Sequence, residues 1–203
     1  SFCMCPGGFI VPAATAPGEV VVNGMSPSKR NNQFANSGIV VEINVDEDLK
    51  NYEQHGVLKG LEYQKDLERL AFTSGGRTQT APAQRLTDFV EGKLSADLNP
   101  TSYQPGLKSV PLHSLLPKLI GSRLRGGFAA FGEKMKGYYT SEANIVGVES
   151  RTSSPVNIPR KESLEHPEIE GLYPCGEGGG YAGGIVSAAM DGERCAEAAI
   201  VGL

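Results

Sequence analysis

Apolar positions recur with three different rhythms along this chain. In residues 1–45 they come as short β-branched runs, Gly18–Met25 (GEVVVNGM) and Ser37–Val45 (SGIVVEINV). Both read as strands, because β-branched side chains favour extended backbone. Asn23-Gly24 and Pro6-Gly7-Gly8 are turn signals around them.

From residue 46 to about 137 the spacing changes to that of helices. Leu58, Leu61, Leu67, Leu70 and Ala71 fall on one side of a helix that Gly75-Gly76 ends. APAQRLTDFVEG predicts a second helix, with Pro82 in its first turn and Gly92 just past its end. After the aperiodic linker NPTSYQPG, Leu112, Leu115, Leu116, Leu119 and Ile120 begin a run that continues to Phe128 and Phe131. This is one long or broken helix, with Pro117 and Gly121 as the candidate kinks.

Residues 138–203 return to β signals before a last helix. ANIVGVES reads as a strand, RTSSPVNIPR as extended chain around two prolines, and IEGLYPCGE as a short strand ending in Gly. The final segment from Gly183 closes the chain as a helix, with Ile185, Ala188, Ala189, Cys195, Ala196 and Ala199 as its buried face. The chain contains no internal repeat. Its opening, SFCMCPGGFIVP, reads like the middle of a protein.

Composition narrows the function classes. A formal net charge of −4 argues against nucleic acid as the main partner, since phosphate binding needs clustered Lys and Arg. No stretch approaches the length of a membrane span. The four cysteines form one C-x-C pair, Cys3 and Cys5, and two distant residues, Cys175 and Cys195. No second paired unit exists for a zinc site, so no metal is expected, and reduced thiols in a cytoplasmic protein are the plain reading. His55, His113 and His166 share no spacing and no acid partner, and read as ordinary surface or boundary residues.

The densest chemistry lies in YPCGEGGGYAGGIVSAAMDG, Tyr173 to Gly192. Gly178, Gly180 and Gly183 match G-x-G-x-x-G. A dinucleotide fingerprint needs a second parallel strand and an acidic residue some twenty residues later. Only about twenty residues follow Gly183 here, so this is not a Rossmann first turn. A turn of this kind exposes backbone N–H groups at a helix end and admits a ligand close to the backbone, which suits a carbonyl edge, a ribityl chain or a phosphate. It equally describes a connector that packs a helix tightly on a strand.

Six stretches, FCMCPGG, VVNGMS, ANSGIVVEIN, APAQRLTDF, GYYTSEANIVGVESRTSSPVNIPR and GLYPCGEGGGYAGGIVSAAMDGERCAEA, together resemble the bacterial FAD-dependent, or NAD(FAD)-utilising, dehydrogenases, over essentially the whole chain. The resemblance implies the C-terminal part of a flavoprotein whose N-terminal Rossmann segment carries the true fingerprint. That segment of the parent chain would be its partner, beside an unidentified small-molecule substrate. The implied fold is α/β or α+β in two lobes. Residues 1–45 and 138–203 would form a partial FAD-binding domain, and 46–137 a mainly helical inserted lobe on the substrate side.

In such flavoproteins a late Gly-acid turn returns to the cofactor. The resemblance therefore implies that Gly176, Glu177 and Gly178 meet the ribityl or pyrophosphate region, and that Gly183, Gly184 and Ile185 line the ring edge. ESRTSSP, Glu149–Pro155, reads either as Arg151, Thr152 and Ser153 beside flavin or substrate, Arg151 holding an anion, or as a β-turn whose side chains cap their own backbone, and the resemblance favours the first. Cys5 and Cys175 are the reactive-thiol candidates, although an inert buried thiol is the commoner case. The implied activity is a flavin-dependent oxidation or reduction through N5, with NAD(P)H as a candidate electron partner. The chain alone is expected to lack FAD and to be inactive. The competing reading is a non-catalytic binding or scaffold module with a purely structural glycine loop.

Overall fold

A computed structural model gives the conformation of the chain, and it describes residues 3–201. The fold is mixed α/β. Contacts divide the chain into two compact units: residues 1–43 with 65–150, and residues 44–64 with 151–203. Those boundaries differ from the ones composition draws. In the first unit a strand from within residues 46–137 pairs with one from outside them, as described next.

Among the described residues the first unit holds seven short strands. β1 (Cys3–Cys5) pairs antiparallel with β4 (Asn36–Gly38), and β2 (Phe9–Pro12) pairs antiparallel with β3 (Val22–Met25). The third sheet has β5 (Ala81–Arg85) at its centre, parallel to β6 (Leu107–Ser109) and antiparallel to β7 (Asn144–Val146). The helix expected across APAQRLTDFVEG is therefore a strand followed by α3 (Leu86–Glu91). Ala81, Pro82, Ala83 and Gln84 are all buried, so the strand is covered on both faces and shows no alternation to read. Pro82 sits in it by giving its carbonyl to the Gly147 N–H at 2.9 Å, a bond that needs no donor from the proline. Gly92 ends α3 at φ 74, where a left-handed cap favours glycine.

The strand expected at Ser37–Val45 stops at Gly38. Beyond it, Ile39 to Glu42 line a groove with Arg123, Leu124 and Phe131. There the Arg123 guanidinium donates to the Glu42 carbonyl at 2.9 Å. Val45 instead opens a helix, α1 (Val45–Asp48), capped by the Asn44 side chain, which accepts from Asp46 N and Glu47 N.

A 3-10 stretch, Lys50–Leu58, leads into α2 (Lys59–Gly75), close to the helix expected there. Further on, α4 (Leu112–Leu115) and α5 (Lys118–Lys134) are separated at Leu116-Pro117. The break falls at the proline, as expected. Gly121 lies inside α5, buried and unbroken.

Two apolar clusters organise the first unit. Val20, Val22, Ala71, Ala81 and Tyr103 form one, and Leu86, Phe89, Val110, Leu112 and Phe128 the other. In the second unit no strand forms at IEGLYPCGE, which is turn and irregular chain. α6 (Ile185–Val201) closes the described chain. No helix among the described residues is long and apolar enough to cross a membrane.

Candidate functional site

The glycine turn and α6 come from one continuous sequence, and a buried ion pair sets their geometry. Asp191 lies on the second turn of α6 and Arg160 in the irregular segment before the turn. The guanidinium grips the carboxylate with two bonds, Nη2 to Oδ1 at 2.8 Å and Nη1 to Oδ2 at 2.9 Å. Such a bidentate fork fixes both position and orientation. Nη1 also donates to the Pro174 carbonyl at 2.9 Å, and the guanidinium carbon lies 3.6 Å from the centroid of the Tyr181 ring. Asp191 also accepts the Gly176 N–H at 2.9 Å. The Arg160 hydrogen bond first, and the Gly176 N–H second, hold the Asp191 carboxyl down to about 2.

This lock ties both ends of the turn to the helix. Tyr181 N–H donates to the Gly176 carbonyl at 3.0 Å, Gly180 N–H to the Glu177 carbonyl at 3.0 Å, and Gly179 N–H to the Cys175 carbonyl at 3.3 Å. The RTSSPVNIPR segment supports it from one side. Ile158 N–H donates to the Gly179 carbonyl at 3.1 Å and the Asn157 amide to the Gly180 carbonyl at 3.2 Å, while Tyr181 O–H donates to the Ile158 carbonyl at 2.7 Å.

The glycines fall into two sets. Gly176 (φ 65) and Gly180 (φ 83) occupy the left-handed region, and a Cβ at Gly180 would come within 2.8 Å of the Val156 carbonyl. A Cβ at Gly179 would come within 3.0 Å of Cys175 N. The backbone conformation favours glycine at Gly176 and Gly180, and a Cβ at Gly179 would crowd the Cys175 backbone. Gly178 and Gly183 have no positive φ, and a Cβ at either would meet nothing within 4 Å; one at Gly184 would meet only the Ser187 hydroxyl at 3.5 Å. Nothing described in the chain itself demands glycine at those three positions.

The sequence-based candidates are thus placed as follows. Gly176, Glu177, Gly178, Gly183, Gly184 and Ile185 form one turn into α6, with Gly176 buried and the other five exposed, Ile185 at 92%. Cys175 is exposed beside them, and Arg151 is half-buried in the same unit; Cys5 belongs to the first unit, buried in β1. The face assigned to α6 is corrected. Its buried residues are Asp191 and Cys195, whereas Ile185, Ala189 and Ala196 are exposed.

Arg160, Asp191 and Tyr181 were missed. The signal was present, since Asp191 lies three residues after Ala188 and four before Cys195, a charge inside a small-residue face. A charge there asks for a partner. Among the described residues no group of three or more His, Cys, Asp or Glu is placed to hold a metal ion.

The fold is mixed α/β, with a glycine turn feeding a helix, and comparison with known proteins adds the family. The model of the family described as "FAD-dependent protein, C-terminal domain-like" matches residues 1–152. The chain belongs to this family. A protein of Clostridium beijerinckii, named only as an uncharacterized protein, is 44% identical over 199 residues. That similarity spans 97% of this chain, the glycine turn included, and the chain spans 37% of that relative's length.

Proposed function

We propose that this chain is the C-terminal part of a flavin-dependent oxidoreductase and that its glycine turn closes the cofactor site. Family membership supports the coarse reading. The finer one rests on a single observation, the open glycines at 178, 183 and 184, which neither backbone conformation nor packing within the chain explains. A ligand approaching the backbone would explain them. FAD, when bound, supplies a hydride donor and acceptor at N5. Gly183, Gly184 and Ile185 would hold its ring edge, where the start of a seventeen-residue helix favours developing negative charge. Glu177 would hold the ribityl or pyrophosphate side. Arg160 and Asp191 would act one step back, fixing the turn through Gly176 and Pro174. The partial FAD-binding domain, the substrate-side lobe and the N-terminal Rossmann partner belong to the same proposal, as do NAD(P)H as electron partner and the unidentified substrate.

The test uses the full-length protein. Gly183→Val is expected to lower FAD affinity at least tenfold in titrations of the apo-protein, with little change in its thermal midpoint. Glu177→Gln is expected to be milder, because the amide keeps an acceptor oxygen. FAD binding by Gly183→Val equal to the parent's would return the turn to a structural connector.

A further inference from the structure

The two cysteines of β1 take no part in the site described above. Alternation along a strand puts residues i and i+2 on one face, and here it brings two free thiols together, with the Cys3 and Cys5 sulfurs 3.7 Å apart. They are unequal. Cys3 is exposed and Cys5 is 5% exposed. Two glycines leave room for Cys5, since a Cβ at Gly8 would lie 2.9 Å from Cys5 Cβ and one at Gly24 would lie 3.3 Å from its sulfur.

A carboxylate stands on the same face. The antiparallel register sets Cys3 opposite Gly38, and directly opposed residues project to the same side. The Glu149 carboxylate fills the space a Cβ at Gly38 would take, 2.5 Å from that position. Burial pushes both the Cys5 thiol and the Glu149 carboxyl up from their ordinary values. The buried sulfur therefore keeps its proton, and the carboxylate is more basic than an exposed one.

We propose that Cys3 and Cys5 are a redox-active dithiol that exchanges with small-molecule disulfides of the glutathione class, Cys3 attacking, Cys5 resolving and Glu149 accepting the first proton. Cys3 passes its proton to Glu149, and its sulfur attacks one sulfur of RS–SR. The S–S bond breaks, and RS⁻ leaves as RSH with the proton that Glu149 returns. Cys5 sulfur then attacks Cys3 sulfur, expelling the second RS⁻, which takes the Cys5 proton. In sum the chain loses two electrons and two protons, and the disulfide gains them as two RSH. Strand neighbours two apart have Cα atoms roughly 6.6–6.8 Å apart, at the outer limit of the about 4.4–6.8 Å that a disulfide spans. The bond is thus expected to form only under excess disulfide and to reverse readily. The inference is independent of the flavin reading.

The experiment is mass spectrometry of the full-length protein after incubation in oxidised and reduced glutathione at graded ratios, followed by trypsin. Cys3 and Cys5 share the peptide ending at Lys29, whereas cleavage at Arg194 separates Cys175 from Cys195. The expected result is loss of two hydrogens from the Cys3–Cys5 peptide, reversed by dithiothreitol. Cys5→Ser should accumulate a glutathione adduct on Cys3 at least tenfold above the parent. Cys3→Ser should show at least tenfold less adduct on Cys5 than Cys5→Ser shows on Cys3. Glu149→Gln, nearly isosteric, should slow disulfide formation at least tenfold at neutral pH. Two free thiols in the parent under fully oxidising glutathione, or an adduct on Cys175 with none on Cys3 in Cys5→Ser, overturns the exchange site. An unchanged rate in Glu149→Gln overturns the proton-acceptor role.

Discussion

The two compact units are held by different physics. The first contains both apolar clusters, with Phe89 fully buried and set edge-to-face on Phe128, ring centroids 6.1 Å apart. The second contains neither. Its turn and helix are organised by the Arg160–Asp191 pair and the hydrogen bonds around it. At the same time α6 leaves Ile185, Val186, Met190 and Ile200 exposed. Apolar burial is non-directional and distributed over many contacts, so the first unit should lose stability in proportion to what is removed. A polar lock concentrates the same task in a few groups, and it should fail when any one of them changes.

The largest expected effect tests the first half of that contrast. Phe89→Ala removes a fully buried ring and its partner on Phe128. It should cost about 3–5 kcal/mol, measured by denaturant unfolding. Amide exchange should rise across residues 81–91 and much less at 173–181. Equal loss of protection in both stretches would mean that the units unfold as one.

Asp191→Asn addresses the second half. The amide loses the charge that Arg160 grips, and it should cost about 2–3 kcal/mol. Exchange should rise at Gly176 and Tyr181 while residues 81–91 stay protected. Acid should act in the same way on the parent protein. The folded-state value of about 2 lies below the ordinary 3.8, so the stabilisation is complete above the unfolded value and is lost as pH falls from 3.8 towards 2. The loss should amount to about 2 kcal/mol and be absent from Asp191→Asn, a difference read by unfolding at matched pH values.

The contrast also explains which parts of the molecule were legible in the sequence. Helix-period leucines marked α2 and α5, and Pro117 marked the break before α5, because one-sided burial writes its period into the chain. β5 was hidden by burial on both faces, and Pro82 made its sequence look like the start of a helix. The Ser37–Val45 run was apolar enough for a strand, but strand pairing depends on a partner elsewhere in the chain, which no local pattern names; among the described residues the pairing with β1 covers Asn36–Gly38. In the candidate site, the glycine turn and the helix after it were readable from local residues. The pairing of Arg160 with Asp191 was not, being a contact between residues thirty-one positions apart that no local pattern encodes.

The smallest expected effects separate the two sets of glycines within the turn. Gly180→Ala forces a side chain into φ 83 and against the Val156 carbonyl, and should cost about 2 kcal/mol. Gly183→Ala meets neither obstacle. Its φ is not positive and its Cβ would enter open space, so stability should change by less than about 0.5 kcal/mol. Thermal unfolding of the two variants beside the parent protein makes the comparison. A loss for Gly183→Ala as large as that for Gly180→Ala would show that the chain itself requires glycine there. The open glycines would then need no ligand to explain them. A silent Gly183→Ala, taken with weakened FAD binding by the bulkier Gly183→Val, would instead place the requirement for glycine outside the chain, at the surface of what binds there.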